Sequence, residues 1–148
     1  WLGRIFAENA DVSARTPGCL LVMWHAPLYS SGMHRGSGAR MRPFWQLLDR
    51  QGADLVLSGH EHFYERFDPL DAEGQPPVDS QAPRQFVVGT GGARLYGFWK
   101  PPYRSQARVL EHGVLQLSLE RGSYSWRFID VEGRVQDAGE ARCRTTVN

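Results

Sequence analysis

Apolar residues fall along the chain in short blocks separated by Gly-, Pro- and Ser-rich stretches, and the spacing inside each block predicts an element. In residues 1–10, WLGRIFAENA, they stand at 1, 2, 5 and 6, one face of a helix. Pro17 and Gly18 break that pattern. Residues 19–24, CLLVMW, are a continuous apolar run, as in a strand buried on both faces. A loop rich in Gly, Ser and Pro follows over 26–39. Pro43 suits the first turn of a helix that continues through FWQLLDRQ and stops at Gly52. DLVLSG, residues 54–59, reads as a second buried strand. Four prolines and a DAEG turn mark 68–84 as a surface excursion. QFVVGTGG, residues 85–92, is a third strand running into a glycine-rich loop. Two alternating segments, 114–120 and 124–131, flank Arg121-Gly122-Ser123 and predict a hairpin.

This order of elements predicts an α/β fold, a mixed sheet ending in an antiparallel hairpin. Ligands of such sheets gather beyond the carboxyl ends of the strands. Three of the five histidines, His25, His60 and His62, stand at or just past such ends.

Composition narrows the field. A length of 148 residues suits one domain, and 41% hydrophobic with 22% charged residues excludes a disordered or fibrous chain. A net charge of +1 gives no support for a nucleic-acid partner. No run reaches the roughly 18 apolar residues of a membrane helix. The first residue is Trp1, already inside a helical pattern, so the natural start is expected to lie upstream. Cys19 and Cys143 are not spaced as a zinc pair; they are either two reduced core residues or one bridge across a very long loop.

The candidate chemistry is in Gly59-His60-Glu61-His62. Two histidines two apart on an extended chain present their imidazoles to the same side, and Gly59 permits a sharp turn out of the strand. Imidazole suits zinc, iron and manganese. A bare HxH pair is more often a hydrogen-bonded surface pair. Here, however, Trp24-His25 ends one buried strand and GHEH ends the next, so three imidazoles can converge.

These motifs carry a resemblance. VMWH at 22–25 followed by GHEHFYER at 59–66 resembles the last two of the five motifs of the purple acid phosphatase branch of the calcineurin-like metallophosphoesterases. The flanking HAPLYSSG, FWQLLDRQGADLVLSG and QFVVGTGG agree with it. The resemblance implies the carboxy-terminal half of that α/β sandwich, with residues 1–148 a partial domain. It implies a two-metal centre about 3.5–4 Å across, Fe with Zn, Mn or Fe, whose bound hydroxide attacks a phosphate monoester. His25 and His60 would share one ion and His62 would bind its neighbour. A phosphodiester or nucleotide substrate, or a non-catalytic module with a vestigial histidine cluster, are the alternatives. The other ligands (an aspartate, a bridging aspartate with a tyrosine, and an asparagine followed by histidine) belong to motifs absent from this chain. The piece alone is therefore expected to be inactive.

The resemblance further implies that His34 helps protonate the leaving group, that Arg35 is a weaker candidate for a phosphate contact, and that the enzyme is secreted or periplasmic. Related bacterial chains carry cysteines in similar places, which favours a Cys19–Cys143 bridge. Gly89-Thr90-Gly91-Gly92 lacks a Walker lysine and reads as a place of close backbone approach. Tyr64, Glu65 and Arg66 read as a structural brace with Arg66 paired to a carboxylate, and His112 as a hydrogen-bonding residue.

Overall fold

The computed structural model describes residues 3–4, 18–33, 37–78, 82–101 and 103–144. Apart from Gly3 and Arg4, the predicted helix over 1–10 lies outside them, as do His34 and Arg35. The elements are β1 (Leu21–Met23), α1 (Ser37–Arg50), β2 (Leu55–Ser58), β3 (Tyr64–Pro69), β4 (Arg84–Val88), β5 (Ser105–Val109), β6 (Gly113–Glu120), β7 (Ser123–Asp130) and β8 (Val135–Arg142).

Five strands form one sheet in the order β1-β2-β4-β3-β5, and β6-β7-β8 form a second. β1, β2 and β4 are parallel, β3 runs antiparallel to both its neighbours, and the second sheet is antiparallel throughout. The predicted α/β class and closing hairpin are thus present, with the hairpin extended by β8. Trp45 and Leu48 of α1 pack with Val56 on one face of the large sheet. Leu55, Tyr64 and Phe86 on its other face pack against Tyr124, Trp126 and Phe128 of the small sheet. Burial on both faces explains why the runs at 54–59 and 85–88 are apolar without alternation.

Several expectations need correction. The helix starts at Ser37, and Pro43 lies inside it rather than in its first turn. Met41, Trp45 and Leu48 make a stripe facing one core cluster, and their burial offsets the backbone bond lost at Pro43. β1 is an edge strand with Met23 71% exposed, so it is not buried on both faces. The excursion after β3 is anchored, with Leu70 and Ala72 buried and the Trp45 indole N–H donating to the Leu70 carbonyl at 3.0 Å.

Two devices fasten the sheets together. Asp137 on β8 accepts from the Tyr64 hydroxyl at 2.6 Å, from Arg66 Nε and Nη2 at 2.8 and 2.9 Å, and from Trp126 Nε1 at 3.0 Å. The Arg66 guanidinium also lies 4.9 Å from the Trp126 ring centre. This is the expected brace, with Asp137 as the carboxylate. Gly139 faces Trp126 across the β7–β8 pair, and a Cβ there would overlap the indole. The second device is a Cys19–Cys143 disulfide with Cα atoms 5.2 Å apart, which decides between the two cysteine states. Beside it, Asp54 accepts the backbone N–H groups of Leu20, at 2.6 Å, and of Arg144.

Burial acts to raise the Asp137 pKa, but hydrogen bonds from Arg66 and Tyr64 and the Arg66 charge outweigh it and hold the carboxyl below its usual range. A depressed folded-state pKa stabilises above the unfolded value, about 3.9 for aspartate, and that stability is lost as pH falls through the folded pKa. Asp137→Ala should cost about 3–5 kcal/mol in urea unfolding at neutral pH, because it leaves the half-buried Arg66 without its carboxylate. The variant should also show a shallower loss of stability below pH ~4. Reducing the disulfide, which spans a separation of 124 residues, should cost roughly 5 kcal/mol on the chain-entropy model, read from the same unfolding curves.

Candidate metal centre

The parallel register of β1 and β2, Leu21 with Leu55 through Met23 with Leu57, brings two of the histidine-bearing strand ends level. It continues past the strands, where Trp24 N–H donates to the Leu57 carbonyl at 3.1 Å and Gly59 N–H to the His25 carbonyl at 3.0 Å. His60 then adopts φ 66°, a left-handed conformation that non-glycine residues hold at a cost of about 1–3 kcal/mol and mostly at functional sites. The turn tightens as Glu61 N–H meets the Gly59 carbonyl at 2.8 Å and Phe63 N–H the Glu61 carbonyl at 2.9 Å.

His25 Nε2 and His60 Nδ1 come to 3.1 Å, with ring centres 5.0 Å apart and planes at 84°. Two imidazole nitrogens that close can both reach one transition-metal ion at the usual distance of about 2.0–2.1 Å. The donor set, nitrogen without oxygen, suits zinc, iron or manganese better than calcium. His62 behaves differently. The segment is turned rather than extended, so the alternation expected to set both GHEH imidazoles on one side does not apply at His60. His62 Nδ1 lies 2.8 Å from the Arg94 carbonyl, to which it donates, and this leaves Nε2 with its lone pair. Metal-bound histidines commonly carry such a second hydrogen bond. The three imidazoles do not form one group with ligand atoms all within 4.8 Å of one another.

Around this edge the chain is fixed by buried polar side chains. Gln85 Oε1 accepts from Leu28 N–H at 2.9 Å, and its amide donates to the Tyr29 carbonyl at 2.6 Å. Glu65 accepts from both Ser31 N–H and Ser31 Oγ, at 2.8 and 2.5 Å. The Ser31 carbonyl in turn accepts from Trp99 and Lys100 N–H. The loop after His25 is therefore tied to β3, to β4 and to the segment after β4. Glu61 is fully buried, and its carboxylate accepts from Tyr96 at 2.9 Å. Burial first, then the Glu61 carboxylate, pushes the Tyr96 phenol up to about 12.

The glycine-rich loop does what its composition implies. A Cβ on Gly89 would overlap the Glu61 carbonyl, so glycine is required for the backbones to pass. His112 Nδ1 sits 3.1 Å from the Thr90 carbonyl, a hydrogen-bonding position. A cleft of about 590 Å³ opens beside His25, lined by Ser58, Gly59 and Thr90 and by Val114 and Leu115 of β6. Sequence reasoning missed Glu61, Gln85 and Tyr96. For Glu61 and Gln85 the available signal was a polar residue beside a buried apolar run; Tyr96 carried none.

No family model matches the chain. Among curated proteins it is 33% identical over 129 residues to purple acid phosphatase 22 of Arabidopsis thaliana, covering 81% of this chain and 29% of that protein. It is 36% identical over 141 residues to the phosphoenolpyruvate phosphatase of Allium cepa, covering 85% and 28%. The chain thus spans under a third of the length of these relatives. In fold it matches purple acid phosphatase PPD1 from yellow lupin seeds with a TM-score of 0.70 at 22% identity, over 84% of this chain and 25% of that one.

The Gly89 contact makes a local prediction. Gly89→Ala should destabilise by about 1–3 kcal/mol, as overpacking does, and move the amide resonances of residues 60–63. Gly91→Ala, where nothing lies within 4 Å of the added methyl, should leave those resonances in place.

Proposed function

Since this chain is a homologue of the purple acid phosphatases, matching their carboxy-terminal region, we propose that in its parent enzyme it supplies part of a dinuclear metal centre that hydrolyses phosphate monoesters. The observation that carries this reading is the 3.1 Å approach of His25 Nε2 to His60 Nδ1 at the carboxyl edge of a parallel sheet. His25 and His60 hold one ion. His62 holds its neighbour through Nε2, oriented by its bond to the Arg94 carbonyl. When bound, the pair of ions, Fe with Zn, Mn or a second Fe, supplies an activated water and offsets charge on the phosphoryl oxygens.

The protein's own part is placement. Gln85 and Glu65 fix the loop that leaves His25, and His34, three residues beyond Ser31, delivers a proton to the departing alkoxide. The chain spans under a third of the length of its relatives, and the remaining ligands come from residues of the parent that it does not include. Those residues cover the cleft between β1 and β6, two edge strands that carry the exposed Met23 and Val114. The substrate is a small phosphate ester. Export to an oxidising compartment, outside the cell or in the periplasm, fits the disulfide. Among the described residues no helix is long and apolar enough to cross a membrane.

A chromogenic phosphate ester, assayed with added zinc, manganese or iron, tests the reading. The parent should turn over, and residues 1–148 alone should not; robust metal-dependent turnover by the short chain would contradict the assignment. In the parent, His34→Ala should lower kcat by about 10²-fold, the usual scale for a general acid, with metal content unchanged.

A further inference from the structure

Tyr96 touches each of three consecutive residues in the GHEH segment. Its hydroxyl lies 2.9 Å from Glu61 Oε2 and 3.2 Å from the His60 carbonyl, and its ring centre lies 4.9 Å from that of His62. A fourth contact runs edge-on to Phe63, at 6.1 Å between ring centres. Glu61, although flanked by the two candidate ligands, is fully buried. Its carboxylate is closed in by Gly32, where any Cβ would overlap it, and by the Tyr96 hydroxyl. A carboxylate so enclosed anchors its surroundings.

We propose that Tyr96 and Glu61 are a pair of positioning residues that set how His60 and His62 are presented to metal, without ligating it themselves. The geometry gives each a distinct part. Glu61 fixes the height of the Tyr96 ring by accepting a hydrogen bond from its hydroxyl. The same O–H is shared, as the longer 3.2 Å arm of a bifurcated bond, with the His60 carbonyl and so favours the left-handed conformation on which the approach to His25 depends. The ring, lying 38° from the His62 plane, limits rotation of that imidazole while the Arg94 carbonyl, two residues away, selects its tautomer. Gly32 makes room for the Glu61 carboxylate and Gly89 for the Glu61 backbone. One phenol thereby couples the segment after β4 to both histidines.

The inference rests on the metal-centre reading, and the test separates the two. In the full-length parent, Tyr96→Phe removes only the hydroxyl. It should weaken zinc or manganese affinity, measured by competition with a chromophoric chelator, by about 10–100-fold, the usual effect of losing an outer partner of a metal ligand. KM for the phosphate ester should change less than kcat. Glu61→Gln keeps an acceptor for the hydroxyl and should retain the parental affinity, whereas Glu61→Met, similar in length without an acceptor, should match Tyr96→Phe. Unchanged metal affinity in Tyr96→Phe overturns the proposal; should that variant fail to fold, equal affinities in Glu61→Gln and Glu61→Met overturn it. A parent that binds no metal defeats the phosphatase reading instead. In that case long-range ¹H–¹⁵N spectra of the metal-free protein decide the pair's role. Mixing of His62 tautomers in Tyr96→Phe supports it, and a single Nδ1-protonated form, as in the parent, overturns it.

Discussion

Everything at the site depends on the parallel pairing of β1 with β2. That register sets the His25 carbonyl opposite the Gly59 N–H, so two histidines 35 residues apart in sequence leave the sheet side by side. A slip of one residue would send every side chain of β1 to the other face and carry His25 away from His60. The register is itself secured at the far end of β1, where the Cys19–Cys143 disulfide and the Asp54 carboxylate hold the entering chain. The covalent staple and the candidate metal site thus occupy opposite ends of one short strand, and each limits how the strand can slide.

Between those ends, polar side chains inside the sheet settle which way the loops lie. Gln85 and Glu65 face the loop after His25, while Tyr64 and Arg66 face Asp137 and the second sheet. A buried polar group is costly unless bonded, and these four side chains all have partners. The consequence is specificity of arrangement. An apolar side chain at Glu65 would pack, but it would not select one position for Ser31. Alternating residues of β3 thus serve the loop on one face and the sheet-to-sheet brace on the other.

Much of this was legible in the sequence. The apolar runs at β1, β2 and β4 and the hairpin of β6 and β7 stood out, and so did the histidines beyond the strand ends. YERFDP at β3 did not, because Glu65 and Arg66 make a central strand look like a loop until their partners are known. VQDAGEAR at β8 hides behind Gly139, whose missing side chain is filled by the Trp126 ring. The start of α1 was misplaced because a proline usually marks the first turn, whereas here burial of Met41 extends the helix beyond it. Tyr96 could not be found from spacing at all. It lies in an irregular segment, and only the fold brings it to the GHEH turn.

The most direct measurement is anomalous diffraction from crystals of the full-length protein grown with zinc or manganese. Two adjacent peaks are expected, one ligated by both His25 Nε2 and His60 Nδ1 and the other by His62 Nε2. Metal bound elsewhere, or a single ion held by His60 and His62 with His25 turned away, would contradict the assignment.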